Sequence, residues 1–527
     1  DITAYFSEPG EYLIFVDDAN RLDNRLDYIL HYLNDHSEKR NFKIIATVRD
    51  YARSPVIDKV KKYTTPHELI IPPLTDEQIK KLSETLFGIK NRDYQERIQE
   101  VSCGNPRLAV MASKVAIETN QIESIQNVTS LYKDYFGENE NVKIVMDEKR
   151  LALTACAICF FRKIDKLNEN RMKLIESSFG IQPEDFWELV DILHKNELVD
   201  LYENEVVKIT DQVLSTYLFY TTVFERKIVP FSTIVNDFYP EHKGIIVDSL
   251  NPVINAFDLK IILADIRSEI QGIFSNFSIN NNTDTSIEFL NTFWFALPTE
   301  TLLFAESTIE EMPEIEVDWE NVDFVESKKS TQKPSLVDLL SHFRFYGELE
   351  LKLSFELLAK YTAKNKTSIG VVIRALLETY TIKHSDWRHG YFVQANIIDT
   401  LTTLMSGKDG YLFSRLFILY SKSLLKIEHS EHKWSRGNTI NIITFRVSPD
   451  SYLTPIREKI IFNMGSLIEK PEISSLVIDL FKDYVNTIQY DCKDIAALDL
   501  PFFEKYLVNK MNRNDISQCM VMQNYCD

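Results

Sequence analysis

Tyr12-Leu13-Ile14-Phe15-Val16-Asp17-Asp18 sets five apolar residues directly before two aspartates. A short unbroken apolar run reads as a buried strand, and this one carries both carboxylates to its C-terminal end. Residues 21–33 follow with Leu26, Ile29, Leu30 and Leu33 at helical spacing. Phe42-Lys43-Ile44-Ile45-Ala46-Thr47-Val48-Arg49 predicts a second short strand ending on an arginine, and Glu68-Leu69-Ile70-Ile71 a third, before Pro72-Pro73. Short buried strands alternating with helices imply a parallel sheet covered on both faces. Three strands are too few for such a sheet, so its other strands are expected upstream of Asp1.

From Leu74 the pattern turns helical. Leu74-Thr75-Asp76-Glu77-Gln78 supplies an N-cap and an acidic first turn ahead of Ile79, Leu82 and Leu86. A second helix is expected near 93–101, and Gly104-Asn105-Pro106 ends one helix and starts another over 107–119. Residues 140–228 predict three helices, then two β-prone runs flanking Glu203-Asn204-Glu205, then a helix capped by Thr210-Asp211. Helices with a small β wing are a winged-helix layout. Beyond 229 the pattern is almost wholly helical, in neighbouring pairs with short polar links, as in α-solenoids. No fixed repeat period emerges. Residues 307–334 interrupt it with many acids, Pro313 and Pro334, and are expected to be a mobile acidic insertion.

The expected organisation is therefore mixed and mostly α: an α/β core over 1–74, a small helical bundle over 75–139, a winged helix over 140–228 and a helical array over 229–527. With 44% hydrophobic and 26% charged residues in 527, a globular protein with ample core follows. No apolar run approaches the ~20 residues that span a bilayer, so no membrane contact is expected. Six cysteines make no disulfide framework, and Cys156-x-x-Cys159 lies in an apolar helical run, where core packing is expected. A reducing cytoplasm follows. The net charge of −19 repels a phosphate backbone, and Lys59-Val60-Lys61-Lys62 and Lys328-Lys329 are too short to offset it, so nucleic acid is not an expected partner.

Two carboxylates on a rigid strand end suit phosphoryl chemistry, which asks a protein mainly to place charge. Asp17 would hold Mg²⁺ between nucleotide phosphates, and Asp18 would polarise water, as in the Walker B strand of a P-loop NTPase. Arg49 ends the next strand, where ligands of open α/β sheets bind. Pro106, with Gly104 and Asn105, opens a helix that could pack on a base. No G-x-x-x-x-G-K-[ST] phosphate loop occurs in the 527 residues. Elsewhere, His429 and His432 are read as solvated in a polar turn rather than metal-bound, with equal caution for His384 and His389 beside Trp387.

Asp17-Asp18, then Thr47-Val48-Arg49-Asp50, then Gly104-Asn105-Pro106-Arg107, then a winged helix and a helical array: this order resembles the STAND class of AAA+-related NTPases. It is most similar to the branch found in prokaryotic antiviral (Avs-type) defence proteins. The resemblance covers residues 1–228 and is architectural beyond. It implies that Asp17 and Asp18 are the Walker B pair, Arg49 the sensor-one arginine and Pro106 the proline near adenine. It also implies that Asp211 lies where related proteins close their resting state, although Lys208-Ile209-Thr210-Asp211 lacks that family's Met-His-Asp signature. ATP or ADP with Mg²⁺ would act as the switch. The array would sense a protein trigger, such as a phage protein, through residues such as Trp294, Trp387 and Trp434. The protein would then form a homo-oligomer that activates an N-terminal effector. The intact protein would be an ATPase, whereas this chain alone would not turn ATP over. The competing readings are a DNA-associated AAA+ initiator or transcription regulator, and a non-enzymatic scaffold with a degenerate core. Acidic residues along the helix that would have to read DNA, Glu184, Asp185, Glu188 and Asp191, count against the former.

Overall fold

A computed structural model describes residues 6, 8–17, 19, 22, 24–35, 40–48, 53–102, 104–120, 129–133, 136, 139–280, 283–327, 334–435, 439–487 and 493–526. The chain is mostly helical, with small sheets, and forms two compact units, Asp1–Ile273 and Phe274–Asp527.

In the first unit, β1 (Gly10–Val16) and β2 (Arg40–Ala46) pair in parallel, Ile14 against Ile44 and Val16 against Ala46, with the helix Asn24–Asp35 as the crossover. The ladder runs on past both strands, as Thr47 N–H donates to Val16 O (3.0 Å) and Ala19 N–H to Thr47 O (2.9 Å). Val16, Ala19, Leu26, Leu30 and Val56 bury one face. The other face is open: Leu13 is 69% and Phe15 63% exposed. The expected burial on both faces is thus halved, because the side chains alternate and only one side is covered among the described residues. The third expected strand is absent. Residues 66–75 are without regular structure and Leu69 is 85% exposed. Pro72-Pro73 brings no N–H to a ladder, and β propensity alone does not supply a partner.

The small bundle comprises Asp76–Phe87, Arg92–Ser102 and Pro106–Thr119. Thr75 and Gln78 form a reciprocal capping box, and Asn105 caps the third helix with Pro106 in its first turn. Gly104 has φ +80°, and a Cβ there would lie 2.8 Å from Leu74 O, whose own N–H donates to Gly104 O at 2.9 Å. Gly104→Ala is expected to lower stability by about 1–3 kcal/mol through backbone strain and that clash. Denaturant unfolding reads it; an unchanged midpoint would mean that Leu74 gives way.

Glu140–Asp147, Lys149–Phe161, Glu169–Phe179 and Pro183–Lys195 lead into a small antiparallel sheet of order β3-β5-β4: β3 (Ile164–Asp165), β4 (Val199–Tyr202) and β5 (Val206–Ile209). Glu203 (φ 49°) and Asn204 (φ 58°) both take left-handed backbone in the three-residue connection, where Glu205 N–H closes the turn on Tyr202 O (2.9 Å). Cys156 and Cys159 are buried in their helix, and burial pushes the Cys159 thiol up to about 12, so neither offers a thiolate. Phe238, from the helix Phe231–Phe238, sits against Phe160 and Phe161 at 4.8 and 5.4 Å. The first unit therefore continues well beyond residue 228.

The second unit consists largely of helices, among them Glu348–Lys364, Phe392–Leu404, Gly410–Leu424, Leu453–Leu467 and Pro471–Thr487. Residues 311–327 keep their acids exposed, as an acidic insertion would, but are anchored through their apolar side chains. Trp319 is buried and donates from Nε1 to Asp409 (2.9 Å), Phe324 is buried, and Ser327 N–H reaches Gly370 O (3.0 Å). Residues 328–333 lie outside the described residues.

An unforeseen antiparallel hairpin, β6 (Glu428–Ser435) and β7 (Thr439–Arg446), replaces the polar turn read around His429. Positions 429 and 432 fall on opposite faces of a strand, and the His432 side chain lies outside the described residues. His429 is buried rather than solvated: it stacks on Phe445 (5.7 Å) and bonds Lys426 O through Nε2 (3.2 Å). Burial holds its pKa down at about 4. Unfolded histidine takes its proton near pH ~6.5, so stability is complete above that value and falls as pH drops towards the folded pKa, by about 3 kcal/mol in all. Urea unfolding at successive pH values should show this slope in the wild type and a flatter one in His429→Gln; equal slopes would exclude it.

Candidate functional site

Asp17 follows β1 directly, at its C-terminal end, and its Oδ1 accepts a 2.6 Å hydrogen bond from Thr47 Oγ1 just beyond β2. The parallel register sets these two side chains at adjacent strand ends. There an exposed, oriented carboxylate suits a hydrated divalent cation. Asp18 and Arg49 lie outside the described residues. No cradle for phosphates accompanies Asp17: the 527 residues hold no Gly-rich lysine loop. The local fit thus extends to a cation and no further. No cluster of three or more His, Cys, Asp or Glu side chains suited to a metal occurs among the described residues.

Two ion pairs tie distant stretches of this unit together. Arg107, immediately after Gly104-Asn105-Pro106, donates from Nη1 to Asp211 Oδ2. Asp211 also caps the helix Gln212–Tyr220, its Oδ1 accepting from Val213 N–H (2.6 Å) and Leu214 N–H (3.4 Å). One carboxylate therefore both starts the helix after the hairpin and holds the start of the Pro106–Thr119 helix.

The second tie is more buried. Lys59, from the helix Arg53–Lys61, meets Glu203 at 2.5 Å and Asp27 at 3.6 Å, with its ammonium 5.4 Å from the Tyr202 ring centre. Tyr202 belongs to the same apolar cluster as Val16 and Ala19, beneath the end of β1. Burial disfavours the Lys59 charge, yet the bond to Glu203 and the neighbouring Tyr202 outweigh it and raise its pKa. Burial pushes the Tyr202 hydroxyl up to about 12, so it stays neutral.

Comparison of the chain with protein-family models, curated proteins and solved structures finds no match.

Gly104, Asn105, Pro106 and Asp211 are thus joined through Arg107, while Asp17 occupies a separate strand end above the Tyr202 cluster. Lys59 and Glu203 were missed by sequence reasoning. Lys59 stood out only as part of a short basic run and Glu203 only as a turn residue, and no local signal pairs them. The helix Pro183–Lys195 exposes Glu184, Glu188 and Asp191, and its Asp185 pairs with Arg150 (2.5 Å). Trp294 is half-buried and stacks on His342 (4.7 Å), Trp387 is exposed, and the Trp434 side chain lies outside the described residues.

Proposed function

We propose that this chain is the switch and sensor portion of a STAND-class, AAA+-related ATPase acting in the cytoplasm in antiviral defence. β1 and β2 belong to its P-loop core, the bundle from Asp76 to Thr119 is the lid, and the helices around the β3-β5-β4 sheet are the winged helix. The helices of the second unit act as a repeat-like sensor for a protein trigger. The double tie carries this reading, because Lys59–Glu203 joins core to wing and Arg107–Asp211 joins lid to the helix after the wing. Three segments held by two ion pairs form a closed state that can open as a unit.

Asp17 would hold Mg²⁺, with Asp18 and Arg49 as the further catalytic pair, and Gly104, Asn105 and Pro106 would supply the contact to the nucleotide's base. Bound Mg²⁺-ATP would supply the phosphate charge to which the switch responds. A trigger opens the switch only by binding the open state more tightly than the closed one. Opening leads to homo-oligomerisation and activates an N-terminal effector.

Light scattering of the intact protein, as its gene encodes it, tests this. Arg107→Glu places two acids together at the lid, so with ATP and Mg²⁺ it should assemble without a trigger. If it stays as monomeric as the wild type, the clasp is not the lock.

A further inference from the structure

A cavity of about 1170 Å³ opens within the second unit. That exceeds the ~300–1,000 Å³ usual for small-molecule sites, so it has room for more than a bare ion. Its wall coincides with interruptions of regular helix: the 3-10 turns His342–Phe345 and Asp386–His389 and the π turn Ala375–Thr379. Such irregular turns, π turns above all, recur at functional sites.

Arg344 lines this cavity with its side chain only 5% exposed. Its Nη2 donates to both oxygens of Asp386, each at 2.9 Å. Asp386 is itself fixed by Lys383 N–H (2.8 Å) and Gln394 Nε2 (2.7 Å). The guanidinium is therefore held rigid by one edge. Nη1, on the other edge, is buried without a hydrogen-bond partner. Leaving a buried charged donor unmet costs more than leaving a neutral one, and a planar guanidinium suits carboxylate or phosphate oxygens.

Arg374 and Lys383 also line the cavity. Lys383 Nζ donates to Glu378 O (2.7 Å); burial and then the Arg344 charge lower its pKa, against the opposing pull of Glu431, Asp386 and Glu378. Most acids of the wall are already engaged: Asp386 as above, Asp338 by Arg374 (3.5 Å) and by its capping bonds to Ser335, and Glu431 by His384 N–H (3.4 Å). Glu378 is exposed.

We infer that this cavity is a binding site for a small molecule that presents a carboxylate or phosphate to Arg344 Nη1, flanked by Lys383 and Arg374. It stands independently of the nucleotide switch, since every residue used lies in the second unit.

Amide hydrogen exchange of the full chain, with inorganic phosphate or succinate as probe and chloride at matched ionic strength as control, tests it. One or both probes should slow exchange in residues 335–346 and 371–389 at least about fivefold, as ligand linkage requires. Protection by phosphate alone identifies a phosphate-bearing ligand and protection by succinate alone a carboxylate; either supports the site. Lys383→Gln should weaken the protection at least about fivefold. The double variant Arg344→Gln/Asp386→Asn removes both buried charges together, and should abolish the protection while its probe-free exchange stays that of the wild type. Absence of protection with both probes overturns the site, as does protection that survives Lys383→Gln and the double variant, or protection confined to residues 10–48.

Discussion

Arg457→Met is expected to lower the stability of the second unit by about 3–5 kcal/mol. Arg457 is wholly buried, and its guanidinium bonds Asp499 through Nε (3.0 Å) and Nη2 (2.5 Å), with Nη1 on Leu424 O (3.0 Å) and Nη2 on Leu425 O (3.2 Å). Tyr484 adds a hydroxyl bond to Asp499 at 2.7 Å. Burial opposes the Arg457 charge, but Asp499 more than offsets it, so the guanidinium stays protonated. Removing the arginine strands a carboxylate in a dry interior beside two helix-end carbonyls. Removing both charges does not, so Arg457→Met/Asp499→Leu should recover most of the loss. Urea unfolding monitored by hydrogen exchange in the second unit separates it from the first. A single variant within about 1 kcal/mol of wild type would contradict the buried-pair assignment.

Lys59→Glu is expected to have the next largest effect. It would bring a third acid up to Asp27 and Glu203 in a buried setting, where Lys59 now meets Glu203 at 2.5 Å and Asp27 at 3.6 Å. A loss of about 2–3 kcal/mol is expected, of the order seen when a partly buried pair is broken. Converted to populations, this speeds exchange through opening of the β4–β5 hairpin by about 30- to 150-fold. Lys59→Glu/Glu203→Lys should rescue only in part, because Asp27 then faces the introduced carboxylate instead of an ammonium. Unchanged exchange over 199–209 in the single variant would show that the hairpin is held by Tyr202 packing alone.

Local signals were legible in the sequence. Thr75 with Gln78, Asn105 with Pro106, and the turn at Glu203-Asn204 each act within a few residues, and each forms as its chemistry implies. The strand Gly10–Val16 was legible too, but its covering was not, since its unbroken apolar run implies two covered faces and only one is covered among the described residues. Leu69-Ile70-Ile71 misled because apolar composition says nothing about whether a partner strand is there. β6 was hidden by its own polarity: Glu428-His429-Ser430-Glu431-His432 has no apolar alternation, and only pairing with β7 makes it a strand. Acid-rich composition likewise masked the inward Trp319 and Phe324.

Of the candidate site, Asp17 could be placed from its strand, and Asp211 from its cap. The pairings Arg107–Asp211 and Lys59–Glu203 could not, because each joins residues more than a hundred positions apart and neither leaves a periodic mark. Arg344 was equally invisible, as its meaning lies in the bonds Asp386 makes and the bond Nη1 lacks.

Binding of a fluorescent ATP analogue to the intact protein, with and without Mg²⁺, tests the nucleotide switch most directly. Mg²⁺-dependent binding should be saturable and weakened at least about tenfold by Asp17→Ala, equivalent to about 1.4 kcal/mol. Absence of binding, or binding indifferent to both Mg²⁺ and Asp17→Ala, would contradict it.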